Sequence, residues 1–235
     1  MRLIFKIFKW LIIIFVGSSV LAVAVYRFVP VKVTPLMLIR DIHPVGSDSQ
    51  KEMQRHWKHD WVSLDRMSKW MPKAVVASED NRFYTHHGFD TTEIRKAMEE
   101  SKNGGRQRGA STISQQTAKN VFLWPGHSWI RKGLEAYFTV LIELMWPKER
   151  IMEVYLNSIE MGPGIYGAQA AAEYYFGCTA ENLSKRQCAL IAVCLPNPIK
   201  RNPSNPTPYL NRRASKIMHY MALFFFLAIS PVKSK

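Results

Sequence analysis

The sequence predicts a mainly α-helical domain preceded by one transmembrane helix. Three observations carry this reading. An uncharged run, Trp10 to Tyr26, follows a short basic and apolar start. From residue 51 to about 217, apolar positions recur three and four apart, in runs bounded by Gly and Pro. No segment shows clear β-alternation, and no repeat is visible. The chain divides into residues 1–29 as cytoplasmic N-terminus and transmembrane anchor, 30–50 as linker, 51–217 as the domain, and 218–235 as an apolar C-terminal tail.

A helix needs about 17 or more mostly apolar residues to cross a bilayer. WLIIIFVGSSVLAVAVY meets that limit, and Phe28 and Val29 extend it past Arg27. Arg2, Lys6 and Lys9 precede the run, so the N-terminus stays in the cytoplasm and the rest crosses. The alternative is a cleaved signal peptide, with Ala22-Val23-Ala24 as the cleavage site. The run exceeds a signal core of about 7–15 residues, which favours the anchor. Either way the domain lies outside the cytoplasm.

Residues 30–50 hold three prolines and little periodicity, and read as an irregular tether. Trp57, Trp61 and Trp70 suit either a membrane interface or a core. A first helix starts after Pro72 and stops before Gly88. A second starts at Asp90, with Glu93 three residues on as a box-like cap, and ends at Asn103-Gly104-Gly105. A third spans Ser111 to about Phe122 and a fourth Ser128 to Trp146. Pro147 opens KERIMEVYLN, and SKRQCALIAVCL stops at Pro196-Asn197-Pro198. MALFFFLAI in the tail is too short to span a membrane and predicts a buried or interfacial helix.

The chain has 32 Lys+Arg against 18 Asp+Glu, a formal net charge of +14. Such an excess suits an anionic partner, and outside the cytoplasm that is a membrane surface or a phosphorylated substrate rather than nucleic acid. Cys178, Cys188 and Cys194 match no zinc spacing and read as buried small hydrophobes.

Three constellations carry chemistry. In SEDNRFYTHHGFD, Ser78 to Asp90, carboxylates precede two histidines. Adjacent histidines diverge on a helix, and neither has a ligand at i−4, so zinc fits poorly. Glu79 sits between AVVAS and Phe83, where desolvation can make a carboxylate a competent base; a polar helix end is the bland alternative. In GASTISQQTAKN, Thr112, Gln115, Gln116 and Lys119 recur at helical spacing, a set able to bond sugar hydroxyls and phosphate oxygens. The glycine-rich KNGGRQRG ahead of it suits a loop over phosphates or a solvated linker. In RKGLE, Arg131 and Lys132 lie within one turn of Glu135, as an ordinary salt bridge or as a cationic pair facing an anionic leaving group.

Taken in order, EDNRFYTHHG, GASTISQQTAKN, RKGLE, VYLN, GPGIYGAQAAAEYYFG and LPNP resemble the motif series of the glycosyltransferase family 51 domain that polymerises peptidoglycan. The resemblance covers about Trp61 to Pro206, and the short anchored chain is similar to the family's monofunctional members. It implies a lysozyme-like, two-lobed helical domain on the periplasmic side of the bacterial inner membrane. The implied reaction polymerises lipid II into β-1,4-linked strands by inverting transfer, releasing undecaprenyl pyrophosphate. Glu79 would take the proton from the acceptor's 4-hydroxyl. Lys132 would offset the diphosphate charge, and Glu135 would orient that group or a bound divalent cation. Gln116 and Lys119 would contact the donor's sugar and phosphates. Asp80, Phe83, His86 and Ser111 would support them, with Thr112, Gln115, Asn120, His127 and Arg131 completing the substrate-binding set. The resemblance makes no cofactor certain; Mg or Mn bound with the pyrophosphate is the one it allows. Lipid II, the growing strand and membrane lipid are the implied partners, with penicillin-binding and divisome proteins as possible neighbours and no nucleic acid.

The sequence departs from the pattern at His127, where the family usually has Arg; binding there would be weaker and pH-dependent near neutrality. Gln187-Cys188 replaces a favoured Glu-Ala, and MALFFFLAI has no match. Two rival functions stand beside this one. A lysozyme-like hydrolase needs two carboxylates flanking the bond, whereas the Lys119, Arg131 and Lys132 set favours a diphosphate leaving group. A non-catalytic, membrane-tethered glycan-binding scaffold would tolerate Glu79→Gln.

Overall fold

A computed structural model describes residues 2–102, 104, 109–126 and 128–229, with the side chains of 223–229 left aside. The chain is mainly helical. Its α-helices are α1 (Arg2–Tyr26), α2 (Pro35–Ile42), α3 (Asp48–Arg55), α4 (Trp70–Glu79), α5 (Thr91–Lys102), α6 (Ile113–Phe122), α7 (Trp129–Met145), α8 (Lys148–Ser158), α9 (Gly167–Phe176), α10 (Lys185–Cys194) and α11 (Pro208–Ile229).

Two helical groups form the body. In one, α4, α10 and α11 pack together; in the other, α6 lies against α7 and α8, and α8 carries α9. α8 and α10 contribute many of the buried side chains. Met152, Tyr155 and Leu156 of α8 and Ile191 of α10 have no exposed surface. Burying such a side chain fully contributes about 1.5–3 kcal/mol. Cys188 and Cys194 are buried in α10, Cys178 is half-buried, and all three are free thiols.

α1 is long and apolar enough to cross a membrane, and it is docked rather than loose. Trp146 Nε1 donates to the Val23 carbonyl at 2.8 Å, and Ser19 and Tyr137 share a hydroxyl pair at 2.7 Å. Beyond the helix end, Arg150 donates to the carbonyls of Tyr26 at 2.7 Å and Val29 at 2.6 Å. A cation on the last carbonyls suits a helix C-terminus, where the orphan acceptors and the dipole both favour positive charge.

The irregular linker expected at 30–50 is instead largely helical. Thr34 caps α2 through Met37 N, with Pro35 in the first turn, where its missing N–H costs nothing. Ser47 and Gln50 form a capping box for α3. Gln50 Nε2 donates to the Ile199 carbonyl at 2.7 Å, and buried Gln54 pairs with both backbone groups of Val45. Pro35, which read as a breaker, acts here as a helix starter.

One further expectation is corrected. The first domain helix ends at Glu79 rather than just before Gly88, because Asp80 leaves helical geometry (φ −160°, ψ 79°) and residues 81–88 follow as turns. Where the sequence shows no β-alternation, the structure adds three short strands, β1 (Lys58–His59), β2 (Glu160–Gly162) and β3 (Ile165–Tyr166), in the order β1-β3-β2. β1 runs parallel to β3 and β2 antiparallel to it; strands this short show no alternation in sequence. At the β3–α9 junction Gly167 has φ +82°, and a Cβ there would lie 2.6 Å from the Asn157 carbonyl oxygen. Only glycine lets α9 start so close to α8.

α11 runs from Pro208 to Ile229, so MALFFFLAI continues a helix rather than forming a separate tail. Leu210, Ala214, Ile217 and Met221 are buried, a helical stripe on the element packed against α4 and α10. The three tryptophans are half-buried. Trp57 meets Tyr166 edge-on at 6.4 Å, Trp61 lies 5.1 Å under the Arg150 guanidinium, and Trp70 has Lys69, Lys73 and Lys185 each 5.4 Å from its ring.

Candidate active site

Glu79 is the last residue of α4, and the turn that follows is fastened by Asp80. Buried Asp80 accepts from Ile113 N at 2.9 Å, at the start of α6, and from His86 Nε2 at 2.9 Å. Gly88 N–H donates to His86 Nδ1 at 3.2 Å, so the ring proton sits on Nε2 and points at Asp80. Gly88 itself has φ +89°, and a Cβ there would come within 2.9 Å of Thr139 Cγ2. Asp80, His86 and Gly88 thus clamp α4 to α6. His87 is exposed. Phe83 is fully buried, with the Lys148 ammonium 4.6 Å from its ring centre.

The expected face of α6 is divided by its own cap. Thr112 is the N-cap, accepting from Gln115 N, while Gln115 Oε1 accepts from Thr112 N at 3.0 Å. Thr112 also donates to the Gly88 carbonyl at 2.6 Å. Gln116 and Lys119 take no part in the cap. Gln116 Nε2 donates to Glu79 Oε2 at 3.3 Å, and Tyr155 OH donates to Gln116 Oε1 at 3.2 Å. Ser78 Oγ donates to the other oxygen of Glu79 at 3.1 Å. Burial lifts the Glu79 carboxyl above its usual range; the bonds from Gln116 and Ser78, with Arg213 and Arg201 farther off, oppose the rise.

Two cavities meet at Gln116 and Pro196, which line both. The first, about 540 Å³, contains Glu79, Ser111, Thr112 and Arg213 in its walls, with Asp80, Asp90 and Glu93. Of these carboxylates, Asp80 is spent on the clamp, Asp90 caps α5 through Thr92 N and Glu93 N, and Glu93 pairs with Lys96 at 2.9 Å. Glu79 differs in capping no helix and holding no ion pair among the described residues.

The second cavity, about 320 Å³, has Arg40, Lys119, Arg131 and Glu160 as its charged lining, with Asn120 and Trp124. Burial depresses Lys119; Glu135 opposes that, and Arg131 and Lys132 add to it. Buried Arg131 donates to Glu135 Oε2 at 3.0 Å, and Lys132 pairs with the other oxygen of Glu135. Glu135 is 3% exposed and lines neither cavity. Its place is behind the cations. Among the described residues no group of three or more His, Cys, Asp or Glu gathers to hold a metal. With both Glu135 oxygens engaged, the donor set does not fit a protein-held divalent cation.

His127 and most of the KNGGRQRG loop lie outside the described residues. Sequence reasoning missed Tyr155, Arg40, Glu160 and Arg213. Tyr155 stands inside the quoted VYLN, whereas Arg213 carried no local signal.

A family model described as transglycosylase matches residues 47–222, most of the chain. The chain belongs to the transglycosylase family. Its activity is glycosyl transfer. Relatives named biosynthetic peptidoglycan transglycosylase include one from Bacteroides thetaiotaomicron, 61% identical over 213 residues, covering 91% of this chain and 84% of the relative. One from Bdellovibrio bacteriovorus is 50% identical over 217 residues (91% and 85%), and one from Pseudomonas aeruginosa 48% over 220 residues (94% and 91%).

Proposed function

We propose that this transglycosylase polymerises lipid II into the glycan strands of peptidoglycan, transferring with inversion and releasing undecaprenyl pyrophosphate. The observation that carries the reading is the position of Glu79. It stands beside the junction of a cavity it lines and a cationic one, and its hydrogen-bond partners among the described residues are neutral. A base needs an available lone pair and a raised proton affinity, and burial without an ion-pair partner supplies both.

The acceptor sugar occupies the larger cavity and gives the proton of its 4-hydroxyl to Glu79 as its oxygen attacks the anomeric carbon. The bond from that carbon to the diphosphate breaks, and its electrons leave on the diphosphate in the cationic cavity. Lys119 and Arg131 stabilise the charge that develops there, and Lys132 adds to the field from the same helix turn as Arg131. Glu135 is a positioning residue that holds Arg131 and Lys132 together. A divalent cation would arrive with the diphosphate, since the protein offers it no open carboxylate pair. Hydrolysis is disfavoured because Asp80, Asp90 and Glu93 are each committed to caps or ion pairs, leaving Glu79 without a second acid.

α1 is then the single-pass anchor, with the N-terminus in the cytoplasm and the cleft at the outer face of the inner membrane. The +14 charge suits an anionic leaflet and a diphosphate lipid. The test is purified protein with fluorescent lipid II, wild type against Glu79→Gln, products sized and then digested with muramidase. Muramidase-sensitive polymer from wild type alone is the expected result. Equal polymer from both removes Glu79 as base, and cleavage of preformed glycan puts a hydrolase in its place.

A further inference from the structure

Arg40 lies ahead of the matched region, in the segment that reads as a tether. It is nonetheless a wall of the cationic cavity. We propose that Arg40 is a further binding residue for the diphosphate of the lipid-linked donor, reaching it from α2 while Lys119 and Arg131 reach it from α6 and α7. The inference rests on reading that cavity as the diphosphate site.

The placement of Arg40 is built, not incidental. α2 is capped by Thr34, started by Pro35 and fixed by Met37, which is fully buried. Arg40 follows in the last turn with its side chain 21% exposed. Its neighbour Glu160 stands 3.7 Å from Nε, an ion pair too long for a hydrogen bond. Nε of Arg40 and Oε1 of Glu160 are buried without hydrogen-bond partners, and so is Nε of Arg131, a residue only 7% exposed. Native structures rarely keep buried polar atoms unpaired. Two of them are guanidinium donors, on Arg40 and Arg131, that line one cavity and call for an acceptor; the third, on Glu160, lies beside the Tyr166 hydroxyl.

The charges say what that is. Arg40, Lys119 and Arg131 outnumber the one carboxylate in the lining, so the cavity favours a multiply charged anion. A planar guanidinium meets two phosphate oxygens at once, which an ammonium cannot. Glu160 serves as the stand-in that keeps Arg40 in the wall when no donor is bound.

The full-length protein in liposomes, supplied with fluorescent lipid II, provides the test. Initial rates would be compared for wild type, Arg40→Gln, Arg40→Lys, Lys119→Gln and Lys32→Gln, the last an exposed charge on the same segment. Product inhibition by undecaprenyl pyrophosphate, which carries neither sugar nor peptide, gives the second readout. Arg40→Gln should raise KM about tenfold with kcat within about twofold, and weaken that inhibition in proportion. Arg40→Lys, which preserves the charge and the helix, should fall between, and Lys32→Gln should match wild type. A wild-type KM in Arg40→Gln overturns the inference. So does an equal loss in Lys32→Gln, or a raised KM with inhibition untouched, which would move Arg40 to another part of the substrate. If Lys119→Gln also leaves KM and inhibition unchanged, the reading of the cavity itself falls.

Discussion

Gln116 donates to Glu79 across 3.3 Å with its amide already oriented by Tyr155, whose hydroxyl donates to the opposite end of the same amide at 3.2 Å. Tyr155 is fully buried, so this proton has nowhere else to go. The relay decides which end of the amide faces the base. Tyr155→Phe removes the hydroxyl while keeping the packing ring. The amide can then turn its oxygen toward Glu79, and kcat should fall about tenfold with the melting temperature nearly unchanged. Initial polymerisation rates beside a thermal melt check this; an unaltered kcat sinks the relay.

The acid limb of activity follows from the same pair. Burial raises Glu79, and the ionised form is the active one, so activity should fade on acidification at a pH above the ordinary value of 4.5. Gln116 stabilises the ionised form. Gln116→Ala should therefore move the limb to higher pH, in addition to lowering the rate. A plot of kcat/KM against pH for both proteins decides it, and a limb that stays put or moves to lower pH contradicts the assignment.

Glu160 predicts a pH effect on stability instead. Burial lifts its carboxyl from 4.5 to about 7, against the opposing pull of Arg40. The folded state thus favours the protonated form. That contribution is complete below the ordinary value and is lost as pH rises through about 7. Glu160→Gln should match wild type near pH 4 and be the more stable protein at pH 8, by up to about 3 kcal/mol. Denaturant unfolding at several pH values would show the two curves diverging; parallel curves would reject the prediction.

Arg150 fastens the end of α1, donating to two of its trailing carbonyls while stacking on Trp61. Arg150→Ala should release residues 27–34. Limited proteolysis in liposomes should then cut there several times faster, with the body of the domain intact. Equal cutting rates would mean that Trp146 and Tyr137 suffice to hold the helix.

His127→Arg should raise activity, or remove a loss between about pH 6 and 8, if the position binds diphosphate as the family's arginine does. Superimposable pH–rate curves for the two proteins exclude that role.

Much of the helical order was legible because caps are local. Thr112 with Gln115, Asp90 before α5 and Ser184 with Gln187 all announce a start within four residues. The turn after Glu79 was not, since Asp80 breaks the helix for partners at His86 and Ile113, and a contact 33 residues away leaves no periodic trace. The candidate site divided similarly. Glu79, Gln116, Lys119 and Arg131 were visible as unusual chemistry on readable helices. Tyr155 stood in the VYLN motif with no local sign of a hydrogen-bonding role, and Arg40 was hidden by the prolines around it. Thr112 and Gln115 show the converse: helical spacing put them on the ligand face, but the cap uses them first.

α8 carries both Arg150, which grips α1, and Tyr155, which aims the amide beside Glu79. The apolar helix and the amide beside the base thus hang on a single rigid element, from side chains only five residues apart.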